Sequence, residues 1–145
     1  MRLDQEEQEK LTSYFASEED IIAVYLFGSY GTERETPLSD IDFGILFSNE
    51  VDVGLMREME IMAQISLLLK IEDVDLVNLN QAPVLIQHQA IKGELVFERD
   101  EDKVAEFIYQ VLTFYYDEQI RADEFYESYE RVLKEEYLND RENTS

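Results

Sequence analysis

Two aspartates separated by one residue stand at the start of an apolar segment, and they offer the clearest chemistry in the chain. Asp40 and Asp42 flank Ile41, and Asp42 is the only charged residue in the segment 41–47. Side chains two residues apart in a strand point to the same face, so the two carboxylates lie side by side. Adjacent carboxylates repel, and an unpaired anion is costly to bury, unless a cation lies between them. The pair therefore predicts a metal site.

Ten residues separate a Gly-Ser pair from these aspartates. Residues 21–27 form an apolar run, which predicts a short buried strand, and Gly28 and Ser29 follow it. Glycine lets the backbone approach a ligand closely, while the serine hydroxyl and nearby backbone N–H groups can bind phosphate oxygens. A phosphate cradle beside a metal dyad suits a nucleoside triphosphate, because metal ions bridge the phosphate oxygens.

A third carboxylate is expected on the next strand along the chain. Residues 74–79 alternate apolar and polar side chains, which predicts a strand. Asp75 and Asp73 share one face of it, opposite the neighbouring apolar residues. A third acid would hold a second metal ion or help deprotonate the attacking hydroxyl. Asp75 is preferred because it lies deeper in the strand, and Asp73 is the alternative.

The hydrophobic pattern predicts the elements that position these residues, in a small α/β (α+β) protein. Helices are expected over residues 3–17, 54–70, 83–92 and about 100–138, and strands over residues 21–27, 41–47, 74–79 and 95–97. The last helix is either continuous or divided near 117–123. We expect a single domain over residues 1–145, with a core at about 20–98 and a helical tail at about 100–140. The apolar face predicted for the second helix consists of Leu55, Met59, Met62, Ile65 and Leu69.

The charge of the chain limits its partners. With 34 acidic and 12 basic residues, the 145-residue chain has a net charge of −22. Such a surface repels nucleic acid and anionic membranes, so neither is expected to bind directly, and it attracts a basic protein partner. No apolar run approaches the ~20 residues of a membrane helix, and the first residues are polar, so we expect a cytoplasmic protein.

The residue types available for binding a metal are also limited. The chain has no cysteine and a single histidine, His88, which excludes thiolate sites and argues against a zinc site. Any metal is therefore held mainly by oxygen, which favours a hard ion such as magnesium. His88 lies in the predicted third helix, where we expect a structural or surface residue.

Most of the nine tyrosines lie in the predicted C-terminal helix, between Tyr109 and Tyr137. Tyrosine is enriched at protein interfaces. Two interpretations therefore remain open for this helix: its tyrosines pack in the core, or they bind a partner.

The segment 26–42 resembles the minimal nucleotidyltransferases of the DNA polymerase beta-like superfamily, whose pattern is Gly-Ser, ten residues and Asp-x-Asp. Five residues match that pattern and its third carboxylate, namely Gly28, Ser29, Asp40, Asp42 and Asp75. The resemblance covers about residues 20–98. It implies a small nucleotidyltransferase core with a mixed sheet flanked by helices.

The resemblance also implies a function, since members of this group are often antitoxins paired with an RNase toxin of the HEPN class. It implies transfer of AMP from ATP to a toxin tyrosine, and assembly with that toxin as a hetero-oligomer. Two Mg²⁺ ions, or Mn²⁺, would be held by Asp40, Asp42 and Asp75, and the triphosphate by Gly28 and Ser29.

One position departs from the family pattern. Many relatives carry an Arg-Gly pair shortly after Gly-Ser, but Glu33 stands where that glycine is common. The nearest guanidinium belongs to Arg34, which is a candidate phosphate ligand. A solvated loop arginine is the alternative.

Two other functions remain open. The first is a small-molecule nucleotidyltransferase of the aminoglycoside type, whose polycationic acceptors an acidic surface would attract. Such enzymes usually carry additional sequence for the acceptor pocket. The second is a non-catalytic antitoxin that acts by binding alone, although a pure binder gains nothing from clustered carboxylates.

Overall fold

The computed structural model of the protein describes residues 3–28, 41–72 and 74–135. Its elements follow the order α1 (Gln5–Ser17), β1 (Ile21–Gly28), β2 (Ile41–Phe47), α2 (Leu55–Leu69), β3 (Asp75–Asn78), α3 (Val84–Ile91), β4 (Glu94–Glu98) and α4 (Glu101–Leu133). A mixed sheet with flanking helices confirms the predicted fold class. No helix in the described ranges combines the length and the apolarity needed to cross a bilayer.

The four strands form one sheet in the order β3-β2-β1-β4. β1 runs antiparallel to both of its neighbours, while β2 and β3 run parallel. The end of β1 therefore lies at the same edge of the sheet as the beginnings of the other three strands. We call this edge the site edge, because Gly28 of β1, Asp42 of β2 and Asp75 of β3 all lie there.

The sheet is covered on both faces, which explains why β1 reads as a continuous apolar run. Every residue from 21 to 27 is buried. On one face, Val24 and Leu26 join a core that includes Phe15 of α1 and Ile61 of α2. On the other face, the core is built from side chains of β1, β2, α3 and α4. The site edge is thus fixed to a strand that is packed on both sides.

The face of α2 that contacts the sheet differs from the predicted one in its first two turns. Leu55 and Met59 are 68% and 52% exposed, whereas Ile61, Ile65 and Leu69 are buried. The helix that this spacing predicted is confirmed, but Leu55 and Met59 do not belong to its buried face. Apolar residues occur on more than one side of this helix, so helical spacing alone does not single out the buried face.

Arg57 of α2 fixes the turn that leads into β1. Its Nε and Nη2 atoms donate to the two carboxylate oxygens of Asp20 at 2.9 and 2.7 Å. Further contacts join it to Glu60 at 3.1 Å and Glu18 at 3.3 Å. The hydrogen bond from Arg57 lowers the pKa of Asp20 below its ordinary value. The ion pair is bidentate and partly shielded from water, so it resists screening better than an exposed pair.

Replacing Asp20 by Asn is expected to remove an acid-sensitive part of the stability. Because the pKa of Asp20 is lower in the folded state, the ion pair stabilises the protein above the ordinary aspartate pKa of about 3.9, and this contribution is lost as the pH falls. The difference in free energy of unfolding between wild type and Asp20→Asn should be largest near pH 7 and shrink on acidification. Urea unfolding across that range measures it. Glu19→Gln, at the neighbouring exposed acid, is the control, and a pH-independent difference would contradict the assignment.

Arg99 joins the end of β4 to the end of α1 through a set of contacts that we call the carbonyl clamp. Its guanidinium donates to four main-chain carbonyl oxygens at 2.8 to 3.0 Å, those of Phe15, Ala16, Glu18 and Ile21. The same group lies 5.5 Å from the centroid of the Phe97 ring. Since the last turn of α1 has no basic residue of its own, Arg99 supplies the positive charge that a helix C-terminus favours.

The described chain divides into two compact units, with the boundary between Val111 and Leu112. α4 is continuous through Leu133, which confirms the single-helix alternative. The tail tyrosines Tyr116, Tyr126 and Tyr129 are 55–63% exposed. The interpretation that the tail tyrosines pack in the core is therefore wrong for these three residues, and the interpretation that they bind a partner remains.

Candidate active site

The structure places part of the predicted site. Four residues singled out in the sequence lie outside the described residues, namely Ser29, Arg34, Asp40 and Asp73. Gly28, Asp42 and Asp75 lie within them, and all three stand at the site edge.

Asp42 and Asp75 come together on neighbouring strands. They are register partners in the parallel pairing of β2 and β3, at the beginning of each strand. Partners in adjacent strands lie ~4.8 Å apart, with their side chains on the same face. Asp42 is half-buried and Asp75 is exposed. Two carboxylates held at this spacing can bind one cation between them, with about 2.0–2.1 Å from Mg²⁺ to each ligand oxygen.

This pair fits the donor set that a hard metal ion requires. Both groups are carboxylates, and each is fixed by a strand of the sheet. In the described portion of the chain, no cluster of three or more metal-binding side chains occurs. Asp40, two residues before Asp42 in the sequence, is the predicted third ligand. The described residues thus supply two of the three carboxylates.

Gly28 ends β1 directly beside the aspartate pair. Its partner in the antiparallel register is Ile41, and Phe27 pairs with Asp42. Gly28 has a φ of 99°, a conformation that residues with a Cβ rarely adopt. The glycine therefore lets the chain leave the strand at the level of the carboxylates, where a phosphate could approach the backbone.

Gly93 is a site-edge residue whose role the sequence analysis missed. It lies just before β4, and a Cβ added there would come within 2.1 Å of the Leu26 carbonyl oxygen. A side chain would therefore force β4 away from β1, one residue before Phe27. The sequence does not reveal this role, because the close approach joins segments that are distant in the chain.

His88 lies in α3, where its side chain is half-buried. Partial burial, and to a smaller degree the charge of Lys92, lowers its pKa below the usual value. The expectation that His88 is structural or on the surface stays a prediction.

A cavity of about 380 Å³ lies away from this chemistry. It is near the end of β2 opposite to Asp42, and its lining includes Phe47, Asn80, Gln87, Lys103 and Gln110. Neither Asp42 nor Asp75 contributes to it. The cavity therefore does not mark the candidate site, because a triphosphate site needs metal ligands more than an enclosed volume.

Comparison with known proteins identifies related sequences and folds. Residues 9–102 match the family model described as polymerase beta, nucleotidyltransferase. In structure, the chain is similar to a chain of the tri-AMPylated Shewanella oneidensis HEPN toxin in complex with MNT antitoxin, with a TM-score of 0.65, 21% identity and coverage of 87% of this chain and 98% of that chain.

Two further crystal structures share this fold. One is a toxin–antitoxin complex with AMP-PNP, with a TM-score of 0.65, 21% identity and coverage of 83% and 96% of the two chains. The other is the MntA-HepT toxin–antitoxin complex, with a TM-score of 0.64, 20% identity and coverage of 86% and 97%. Among curated proteins, none matches the sequence significantly.

Proposed function

Because this chain belongs to the polymerase beta nucleotidyltransferase family, we propose that it transfers AMP from ATP to a tyrosine hydroxyl of a HEPN-class RNase toxin and thereby neutralises it. The observation that carries the proposal is the register pairing of Asp42 with Asp75, one residue from the positive-φ Gly28. The structural relatives support the acceptor class, since one of them is a complex that contains an AMPylated HEPN toxin.

In the proposed reaction, the acceptor oxygen attacks the α-phosphorus of ATP in line with the leaving group. A bond forms between the acceptor oxygen and the α-phosphorus. The bond from that phosphorus to the bridging oxygen breaks, and pyrophosphate leaves with its electron pair. The acceptor proton passes to solvent or to a carboxylate. Bound divalent ions, Mg²⁺ or Mn²⁺, would neutralise charge on the phosphates and lower the pKa of the acceptor hydroxyl.

Each site residue has a proposed task. Asp40 and Asp42 would hold the ion that neutralises the triphosphate, and Asp75 would help them hold a second ion that activates the acceptor hydroxyl. Gly28 and Ser29 anchor the β and γ phosphates through backbone N–H groups and a hydroxyl. Arg34 is a further candidate for the phosphates.

The charge and the substrate support the proposed partner and location. The net charge of −22 would speed the encounter with a basic protein and disfavour a nucleic acid acceptor. We propose that the enzyme forms a hetero-oligomer with its toxin. A cytoplasmic location follows from the proposal, because both ATP and the RNA targets of such a toxin are found there.

Mass spectrometry of the cognate HEPN-class protein, after incubation with this chain, ATP and Mg²⁺, tests the proposal. We expect the addition of one or more AMP groups to a tyrosine. An unmodified partner that still forms a tight complex would instead favour a non-catalytic antitoxin. If neither modification nor a complex is found, the search for an acceptor moves to small molecules of the aminoglycoside type.

A further inference from the structure

The second unit of the chain carries an apolar stripe along one face of α4. Residues at alternating spacings of three and four lie on the same side of a helix. In the part of α4 that belongs to the second unit, six apolar or aromatic residues lie on one side of the helix, namely Tyr115, Ala122, Phe125, Tyr126, Tyr129 and Val132. We call this set the tail stripe. Glu118 lies on the same side of the helix, between Tyr115 and Ala122, and brings one negative charge to the tail stripe.

Most of the tail stripe is exposed, whereas Tyr115 and Ala122 are half-buried. Phe125, Tyr126 and Tyr129 are 65%, 63% and 55% exposed. The rings of Phe125 and Tyr129, one turn apart, are stacked with centroids 6.3 Å apart and an interplanar angle of 12°. Large aromatic side chains dominate the energy of protein interfaces, particularly Tyr and Trp.

The apolar face of α4 is buried in its first turns and exposed in its later ones. Most helical stability in proteins comes from burying an amphipathic face. Within α4, Val104 and Val111 have the spacing of the tail stripe and are buried in the first unit. The same pattern that buries a helix face in the first unit is therefore repeated in the second, where its large aromatic side chains from Phe125 to Tyr129 are exposed.

The charges around the stripe identify the kind of partner. Residues 112–135 include seven acidic and three basic side chains. Pairing two copies of this helix would bring like charges together, and Glu118 would meet an acidic surface. A partner helix with an apolar face and basic residues beside that face would pack on the tail stripe and pair with Glu118. Seams of this spacing are the ones that accept a second helix.

We propose that the tail stripe docks a basic amphipathic helix of the protein that accepts AMP. The inference rests on the proposed function for the identity of that partner. It assigns to α4 the task of holding the partner, separate from the transfer chemistry at Asp42 and Asp75. Tyr115 and Phe125 would lie on either side of Glu118, which would pair with a Lys or Arg of the docked helix.

Binding of the cognate HEPN-class protein to full-length variants tests the inference. The double variant Phe125→Ala/Tyr129→Ala should weaken binding by about 30-fold or more, which is the effect of losing interface hot spots. The matched control is Tyr116→Ala/Ile120→Ala, on the other side of the same helix, where two side chains of 58% and 56% exposure are removed. This control should bind within about 3-fold of wild type. Circular dichroism checks that both variants keep their helix.

The outcomes separate this inference from the proposed function. If the stripe variant binds as tightly as wild type, or if both double variants lose binding equally, the stripe does not dock the partner, whether or not AMP is transferred. If the partner binds through the stripe but gains no AMP, the docking stands and the transfer fails. Sedimentation of the chain alone should show a monomer. A dimer that Phe125→Ala/Tyr129→Ala dissociates would overturn the proposal in favour of a second copy.

Discussion

Replacing Asp42 by Asn should abolish AMP transfer, with a rate reduction of about 1,000-fold or more, while the protein stays folded. Asp42 is the half-buried member of the carboxylate pair and pairs with Phe27 on the central strand β1. Asparagine keeps the shape of the side chain but loses the charge that binds a metal ion. Stabilisation of developing charge by bound ions contributes several kcal/mol to a reaction of this kind.

The rate of pyrophosphate release measures this effect, and thermal unfolding checks the fold. Glu94→Gln is the matched control, because Glu94 is an acidic residue at the start of β4 that pairs with Leu26 at the same edge. We expect the control to retain transfer within a few-fold of wild type. Transfer at the wild-type rate by the Asp42→Asn protein would remove Asp42 from the metal site.

The third carboxylate gives the second large effect. Asp75→Asn should lower kcat by roughly 100-fold or more, whereas Asp73→Asn should change it less than about 5-fold. Asp75 is the register partner of Asp42 in the parallel pairing of β2 and β3. Because Asp75 is proposed to help activate the acceptor hydroxyl and not to bind the triphosphate, the affinity of the Asp75→Asn protein for ATP should stay within about 3-fold of the wild-type affinity. The loss should therefore appear in kcat and not in nucleotide binding.

Single-turnover transfer and equilibrium ATP binding separate these two quantities. Asp73 and Asp75 lie two positions apart in the sequence and carry the same side chain, so each variant is the control for the other. A larger loss in Asp73→Asn than in Asp75→Asn would show that the third carboxylate has been assigned to the wrong residue.

The central elements of the fold could be predicted because their signal is local. β2 has the predicted bounds, residues 41–47, and β1 is one residue longer than expected. Buried strands produce continuous apolar runs, and Gly28 marks the end of one. The expected strand at 74–79 is shorter in the structure, from Asp75 to Asn78, since an edge strand is half-exposed and its pattern is less distinct.

Other features depend on contacts between distant parts of the chain, so the sequence alone does not reveal them. The carbonyl clamp joins Arg99 to main-chain oxygens that lie 78 to 84 residues earlier. The close approach of Gly93 to Leu26 is equally non-local. For the site, the sequence identified Asp42 and Asp75 by type and spacing, but their pairing required the register of two parallel strands. The roles of Ser29, Arg34 and Asp40 stay predictions.

The carbonyl clamp also affects the order in which the protein can mature during its synthesis. The strands that carry Asp42 and Asp75 are complete once residue 78 has been translated, but the end of α1 gains its cation only when Arg99 emerges from the ribosome. β1 likewise waits for β4 before both of its edges are paired. A nascent chain that stops before residue 94 would therefore hold the carboxylates on a sheet in which β1 is an edge strand, and the end of α1 would lack the contacts from Arg99. β1, which ends at Gly28 beside the carboxylate pair, therefore gains its second neighbouring strand only after both carboxylates have been made.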